Sequence, residues 1–350
     1  MTPTMPSEYR STTEYRYSDA QADTIVRIAS YHRKDFPYSV IWFSPRVHAG
    51  IHQSIETSSQ RTPDTGLGFL DRLPLELIYD ILLRLDMHSI FNIRQANLAS
   101  RQIVNSLKQY QMVVSYGMNL FCALLRTRFA NNVSLFGFYD ALCTKACAFC
   151  GQFAGFISLL TWNRCCFPCL QGAPEIQVQT LAATRKQFHL TKSESNQLRS
   201  FKTLPGTYTM EESAYKSRTT VVSTHQAISV FRQKRNVPTH VRTGDSERNK
   251  KFNFMASCAL PYYDKQTGRV EHGMSCAGCQ LALEKGIIGS RAEIWAFEAR
   301  DKVYARDGFL EHFRWCKQAQ ILWESSNEGN NSPAELPEGV RTGGYFSNRE

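Results

Sequence analysis

Two pairs of cysteines near the middle of the chain have the spacing of a metal site. Cys147 and Cys150 form one Cys-x-x-Cys pair, and Cys166 and Cys169 form another after fifteen intervening residues. Each pair makes a tight knuckle that points two thiolates at one ion, and four thiolates complete a closed tetrahedral zinc site. Gly151 can adopt the positive φ that such a knuckle requires. We therefore predict a structural zinc ion here, with no open position for substrate.

Two neighbouring cysteines leave the identity of one ligand undecided. Cys143 and Cys165 lie beside the pairs, and Cys165 is an alternative to Cys166. Free cysteines are also often small buried apolar side chains, which is the alternative interpretation of these thiols. Buried apolar cysteines have no reason to occur as two Cys-x-x-Cys pairs at this separation, so the spacing favours metal binding.

A second, less regular set of possible ligands lies towards the C-terminal end. Cys276 and Cys279 form a third Cys-x-x-Cys pair, and His312 and Cys316 stand four positions apart in FLEHFRWC. On a helix, this spacing puts an imidazole and a thiolate on one face. We predict that these four residues form a second site, so that the chain holds one or two structural Zn²⁺ ions. The alternative ligands are Cys258 and His272.

Short strands and helices must position these ligands. Residues 155–160 favour a strand that leads into a hairpin, and residues 287–303 favour a helix between the halves of the second set. Residues 219–222 are a β-branched strand candidate, followed by a helix over 224–231. A further helix is expected over 108–130.

Residues 68–107 predict three short helices. Pro74 opens the first, since proline in a first helical turn lacks only an N–H that has no partner there. An apolar stripe at the helical period follows, formed by Leu77, Ile78, Ile81, Leu82 and Leu85. Shorter amphipathic runs occupy 90–94 and 98–107. About forty residues bury too little surface to fold alone, so the stripe needs a partner.

The Leu-Pro-x-Glu-Leu-Ile opening, the break at Asp86 and the Arg94…Arg101 tail together resemble the F-box. The resemblance implies a helical module that docks its host protein onto the Skp-type adaptor of a cullin–RING ubiquitin ligase. It also implies which side chains meet that adaptor. These are Leu73, Pro74, Ile78, Ile81, Leu82, Ile90 and Ile93.

The whole chain resembles fungal F-box proteins that carry a cysteine-rich C-terminal region, through the segments CAFCG…CCFPCL and FLEHFRWCKQAQ. The resemblance implies a non-catalytic subunit that links a target protein to an SCF-type (Skp–cullin–F-box) ubiquitin ligase. The ubiquitin chemistry then belongs to the recruited subunits. The implied partners are the Skp-type adaptor, the cullin complex and a target protein that the resemblance leaves open.

The basic charge of the chain suggests a different function. A net charge of +10 and a pI near 9.1 are compatible with a zinc-finger DNA-binding or transcriptional regulatory protein. The excess is local, since residues 181–250 carry 13 basic and five acidic side chains. At its centre, 231–240 and 246–251 predict a solvated loop, because aromatic residues are not interleaved with the basic ones. Residues 170–184 after the second knuckle carry no Lys or Arg, so we expect no nucleic-acid partner.

The sequence argues against several functional classes. A nucleophile elbow, P-loop, dinucleotide fingerprint, HExxH motif and RING ligand pattern are all missing, so we expect no catalysis. No run of eighteen uncharged apolar residues predicts a membrane span. The first residues lack a signal-peptide pattern. Eleven cysteines are then expected in a reducing compartment, the cytoplasm and/or the nucleus.

These patterns predict a mainly α protein with small β elements, in which a three-helix F-box is followed by a zinc-stabilised α+β region. The expected divisions are a poorly ordered extension over 1–66, the F-box over 68–107, a cysteine-rich helical and zinc-binding region over 108–325 and a disordered tail over 326–350. No period of 20–50 residues occurs, so WD40 or leucine-rich repeats are not expected.

Overall fold

The computed structural model describes residues 9–44, 46, 50, 54–55, 65–235, 246–287, 293–333 and 335–346 of the 350-residue chain. Helices dominate this part, and its strands form small antiparallel sheets of two or three strands. The predicted class, mainly α with small β elements, is confirmed. In the same residues, no helix combines the length and the apolar character needed to cross a bilayer.

The secondary-structure elements are short and follow one another closely. The α-helices are α1 (Asp19–Ala29), α2 (Asp35–Tyr38), α3 (Leu75–Arg84), α4 (Met87–Ala96), α5 (Leu98–Ser106), α6 (Lys108–Thr127), α7 (Leu135–Leu142), α8 (Phe167–Gly172), α9 (Leu181–Phe188), α10 (Lys192–Asn196), α11 (Thr224–Arg235), α12 (Ser246–Met255), α13 (Ala277–Glu284), α14 (Glu293–Asp301), α15 (Arg306–Phe313), α16 (Lys317–Ser325) and α17 (Glu338–Thr342). The strands are β1 (Ser30–Tyr31), β2 (Phe156–Ser158), β3 (Arg164–Cys165), β4 (Val178–Thr180), β5 (Ser200–Lys202), β6 (Gly206–Tyr208), β7 (Ser213–Tyr215), β8 (Thr220–Ser223), β9 (Ser257–Ala259), β10 (Tyr262–Tyr263), β11 (Val270–Glu271) and β12 (Ser275–Cys276). Turns of 3₁₀ helix cover Gly68–Arg72, Ala130–Asn132 and Pro174–Ile176.

Pro74 and two side-chain caps set the starts of the helices in the F-box-like segment. α3 begins directly after Pro74. The Asp86 carboxylate accepts the N–H of Ser89 at 2.9 Å and starts α4. The Asn97 side chain accepts the N–H of Ser100 at 2.8 Å and starts α5. The three predicted short helices are therefore confirmed.

α3 turns one side of its apolar stripe inward and leaves the other side exposed. Ile78 and Leu82 are buried, as is Ile90 on α4, whereas Leu77 is 51% exposed and Ile81 is 42% exposed. The expectation that Ile78, Leu82 and Ile90 lie at a partner surface is wrong. They belong to the chain's own core, because the helices that follow supply apolar surface for them.

One large core joins these helices to the region that carries the first two cysteine pairs, residues 147–169. Leu107 lies in the same buried cluster as Leu120 and Phe121 of α6, so the core continues across the end of the F-box-like segment. The sheet β3–β2–β9 closes this core, with Phe156 of β2 opposite Cys165 on one side and Ala259 on the other. The strand and hairpin predicted at 155–160 are confirmed.

The N-terminal residues pack onto the other end of the chain. Ile25 of α1 lies in a buried cluster with Trp323 of α16. β1 pairs with β12, in register Ser30 opposite Cys276. The expectation of poor order over 1–66 is therefore wrong for 9–44. Its apolar side chains are buried by partners that are distant in sequence.

The C-terminal residues are also folded. The Glu284 carboxylate of α13 accepts the N–H groups of Glu338 and Gly339 at 2.9 and 3.0 Å and the Tyr345 hydroxyl at 2.7 Å. These bonds hold α17 against α13. The expectation of a disordered tail is wrong for 326–333 and 335–346, and residues 347–350 lie outside the described part.

The basic segments are helical where the structure describes them. α11 and α12 include 231–235 and 246–251, so the loop expected there is wrong, and 236–245 lies outside the described residues. α12 is anchored by Asn253, whose side chain accepts the N–H of Val178 and donates to the carbonyl of Leu170. The strand and helix predicted around 219–231 are confirmed as β8 and α11.

Candidate metal centres

The first cluster combines a backbone turn with the start of a helix. Cys147 and Cys150 lie on the turn, which closes where the Gly151 N–H donates to the Cys147 carbonyl at 3.0 Å. Gly151 has φ +72°, as the sequence predicts for a knuckle. Cys166 caps the N-terminus of α8, and Cys169 lies in its first turn. The four ligands therefore come from two small, locally defined pieces of backbone.

The four sulfur atoms are spaced for a metal ion. They all lie within 4.8 Å of one another, and the Sγ atoms of Cys150 and Cys166 are 3.5 Å apart. Tetrahedral bonds of about 2.3 Å would place sulfurs about 3.8 Å apart, whereas a disulfide requires about 2.0 Å. All four thiols are unlinked. This cluster could hold a metal ion through four thiolates.

The thiols of this cluster perturb one another's ionisation. Hydrogen bonding from Cys166 lowers the pKa of Cys147 to about 4, while burial raises the pKa of Cys169 to about 12. Without a cation, ionisation of one thiol therefore disfavours ionisation of the rest. A divalent ion stabilises all four thiolates, so its binding would release protons.

The neighbouring cysteines lie outside the cluster. Cys165 is buried on β3, where burial raises the pKa of its thiol, and Cys143 is half-buried at the end of α7. Adjacent residues in extended backbone point to opposite sides, so Cys165 and Cys166 cannot both face the site. The structure places Cys166 there.

The second cluster is assembled from three helix ends. Cys276 caps α13 and Cys279 lies in its first turn, where the Cys279 N–H donates to the Cys276 Sγ at 3.4 Å. His312 lies in the last turn of α15, and Cys316 caps α16. The sequence placed His312 and Cys316 on one continuous helix, which is wrong. The chain breaks between α15 and α16, and the break brings both side chains to the site.

Distances within the second cluster also suit a metal ion. The Cys276 and Cys316 Sγ atoms are 3.7 Å apart, and the Cys279 Sγ lies 3.9 Å from the Cys316 Sγ and 3.4 Å from the His312 Nε2. All four ligand atoms lie within 4.8 Å of one another. The three cysteines are buried. This cluster could hold a metal ion through three thiolates and one imidazole.

Two features fix the shape of the second cluster. The Tyr304 ring stacks on the His312 imidazole, with centroids 4.9 Å apart, and so orients it. α13 and α16 approach so closely at Gly278 that an added Cβ would lie 2.2 Å from the Ala319 backbone nitrogen. Sequence reasoning missed this contact, although a glycine inside a Cys-x-x-Cys pair was a usable signal.

The remaining elements around this cluster match the sequence only in part. The helix expected over 287–303 is α14, which is shorter, and 288–292 lies outside the described residues. Cys258 lies on β9 in the main core, and His272 is exposed before β12. Neither alternative ligand belongs to the described cluster.

The residues expected at the adaptor surface do not share one face. Ile81 and Pro74 are exposed, and Leu73 and Ile93 are half-buried, in contrast to the buried members of the set. A group of large apolar side chains that shares only Ile81 with this set is exposed near Pro74. We call it the exposed apolar surface, and it comprises Phe69, Leu70, Leu75, Leu77 and Ile81.

Each cluster offers four donor atoms, the number that a tetrahedral metal ion takes. In comparisons with known proteins, no family model, no curated protein and no solved structure matches the chain. The features of the described residues that bear on function are the two clusters and the exposed apolar surface.

Proposed function

We propose that the chain is a non-catalytic F-box subunit that links a target protein to an SCF-type ubiquitin ligase. The observation that carries the proposal is the exposed apolar surface. Its five large side chains fall within thirteen consecutive residues, and Phe69 is 83% exposed. A concentration of this kind on a folded chain marks a contact site for another protein. The exposed apolar surface overlaps the Leu-Pro-x-Glu-Leu-Ile opening that resembles the F-box.

The packing of α3 supports a docking role. Ile78 and Leu82 fasten the helix to the core, while Leu77 and Ile81 remain exposed on its other side. Because α3 is already fixed to the core through its buried side, it loses little conformational freedom when a partner covers its exposed side. The Skp-type adaptor is the partner that the resemblance implies, with the cullin complex joined through it.

The adaptor contact can be tested by pull-down and calorimetry with a recombinant Skp-type adaptor. We expect stoichiometric binding by the unaltered chain and at least a tenfold loss for Ile81→Asp. Ile321→Asp is the matched control, because Ile321 is 43% exposed on α16 and Ile81 is 42% exposed on α3. Absence of binding by the unaltered chain, or equal losses in both variants, would contradict the proposal.

We further propose that both clusters hold zinc. Sets of four thiolates, or of three thiolates and an imidazole, in closed tetrahedral geometry are the sets that structural zinc prefers. The ion would supply positive charge to thiolates that otherwise disfavour one another's ionisation. Its binding energy would be folding energy for the surrounding turns and helices.

Zinc content can be measured by mass spectrometry on the purified chain. We expect two equivalents, and one equivalent after the joint changes Cys147→Ser and Cys150→Ser. Cys143→Ser is the control, since Cys143 lies outside the cluster, and it should leave two. A metal content that the joint changes do not alter would rule out the first site.

A further inference from the structure

A cavity of about 340 Å³ lies between the two cysteine-rich units. Its walls come from residues 32–34, 36 and 37 after β1, 155–156 at the start of β2, 259–261 at the end of β9 and 272–275 leading into β12. Its size is at the lower end of ligand sites, which suits one or two amino-acid residues rather than a folded segment. The cavity depends on the N-terminal segment and on both units.

The inner wall of the cavity is apolar. It includes Phe156 and Leu260, which are buried, and Trp42, Pro261 and Val303, which are half-buried. An aromatic or long aliphatic side chain that entered here would exchange water for apolar contacts. Burial of this kind would stabilise the complex.

The edge of the cavity carries the positive charge of Lys34. His32, Lys34 and His272 line it, and none of the seventeen lining residues is Asp or Glu. Arg33 is already satisfied, because its Nε and Nη2 donate to the Asp35 carboxylate at 2.7 Å each. Lys34 is exposed, and in the described part of the chain it forms no ion pair. The charge of the edge therefore favours a ligand with a negative group.

The His32 imidazole offers one ring nitrogen to a ligand at this edge. His32 uses its Nδ1 for a hydrogen bond with the Gly273 carbonyl at 2.5 Å, which leaves its Nε2 available. Its ring centroid lies 6.4 Å from that of His272. A carboxylate could accept a hydrogen bond from the Lys34 ammonium, and from His32 only when that ring is protonated, because the Nε2 of a neutral ring with its proton on Nδ1 is an acceptor.

We propose that this cavity binds the C-terminal residue of a partner polypeptide. The free α-carboxylate would meet Lys34, and an apolar last side chain would pack against Trp42. The inference rests on the proposed function, which it deepens by naming the class of target. A small apolar carboxylic acid offers the same chemistry, so the test must separate the two sources.

Gly155 provides a way to fill the cavity. Gly155 lines it, and an added Cβ there would meet no atom within 4 Å. Gly155→Leu should therefore occupy the space without displacing the fold. Gly172→Leu is the matched control, because a Cβ at Gly172 also meets nothing within 4 Å and Gly172 is not a lining residue.

Binding can be measured by fluorescence polarisation on the full chain with its metal bound. The probes are fluorescein-labelled hexapeptides that end in Phe or Leu, each as the free acid and as the amide. We expect the free acids to bind and the amides to bind at least tenfold more weakly. Gly155→Leu should weaken binding at least tenfold, Lys34→Gln should weaken it severalfold, and Gly172→Leu should leave it unchanged.

Three results would overturn the proposal: no binding of any free-acid peptide, equal binding of acids and amides, or binding of 3-phenylpropionate without binding of peptides. Lys34→Gln keeps the test decisive if Gly155→Leu fails to fold. Adaptor binding is measured separately, and Gly155→Leu should retain it. Peptide binding by a chain that does not bind the adaptor would preserve the cavity assignment and contradict the ligase role.

Discussion

Ser30 and Cys276 are paired across the two-stranded sheet of β1 and β12. Cys276 is both the last residue of β12 and the residue that caps α13. The first strand of the chain therefore supports a ligand of the second cluster directly. The second cluster therefore depends on contacts from the N-terminal part of the chain, and we expect changes in α1 to weaken the binding of a metal ion there.

Ile25→Ala should destabilise the second cluster. Ile25 is fully buried against residues that include Trp323, and shortening a buried isoleucine to alanine costs about 2–5 kcal/mol. We expect a lower urea midpoint and faster loss of one metal equivalent to a chelator. Ile321→Ala is the matched control, since Ile321 is exposed, and it should change neither. Equal metal retention in both variants would show that α1 does not support the cluster.

Gly278→Ala should separate α13 from α16. The added methyl would fall 2.2 Å from the Ala319 backbone nitrogen, a contact that flexible side chains cannot relieve. Because Cys276 and Cys279 move with α13 and Cys316 moves with α16, the metal at the second cluster should be lost. The measurement is metal content together with thermal unfolding.

The control for this change is Gly308→Ala, also in a helix of the same unit. Its nearest contact would be an ordinary 3.9 Å to Tyr304. Alanine is favoured over glycine in helices by about 1 kcal/mol, so this variant should keep its metal and be no less stable. A similar loss in both variants would mean that any added side chain harms this region.

Local patterns in the sequence were sufficient to predict the ligands. Cys-x-x-Cys pairs and the positive φ at Gly151 are properties of a few neighbouring residues, and the structure brings both predicted sets together. Which of Cys165 and Cys166 faces the first cluster could be decided only once the direction of β3 was known. The helix break between His312 and Cys316 follows from the tertiary packing of α15 and α16, so the spacing of the two residues alone could not predict it.

Contacts between distant residues could not be predicted from the sequence. Ile25 is buried by Trp323, and no periodic pattern within 1–66 identifies that partner. On α3, the apolar stripe is wider than the buried face, so the sequence did not show that Ile78 would lie inside and Leu77 outside. The side that faces the core is set in part by α7, which packs against α3 and lies further along the chain.

Asp35→Asn should strongly destabilise the N-terminal segment. The Arg33 and Asp35 side chains are almost fully buried and are joined by two hydrogen bonds of 2.7 Å. Burial opposes the charge of Arg33, yet the Asp35 carboxylate keeps the pKa of that guanidinium above its usual value. Removing one partner of a buried ion pair costs about 3–5 kcal/mol.

Chemical denaturation should show this loss. Asp23→Asn is the matched control, because Asp23 pairs with Arg306 at 2.7 Å while its side chain is 88% exposed. Exposed ion pairs contribute little, so this variant should unfold like the unaltered chain. Equal effects of the two changes would show that the pair with Arg33 is not specially important.

The docking of α17 should weaken in acid through Glu284. Burial opposes ionisation of this carboxyl, but hydrogen bonds from Tyr345, the Gly339 N–H and Gln280 outweigh it and lower the pKa below the usual 4.5. A depressed pKa in the folded state stabilises the ionised form. The contribution is therefore present above about pH 4.5 and is lost as the pH falls through the lowered pKa.

Hydrogen exchange of residues 338–345 at several pH values measures this docking. We expect protection at pH 7 that falls in acid, and weaker protection in Glu284→Gln even at pH 7, because the amide is uncharged and its NH₂ accepts no hydrogen bond. Glu324→Gln, at an exposed site on α16, is the control. Acid release of metal would affect all three proteins alike, so the difference between Glu284→Gln and the control isolates the carboxylate. An identical pH profile in both variants would show that α17 is held by other contacts.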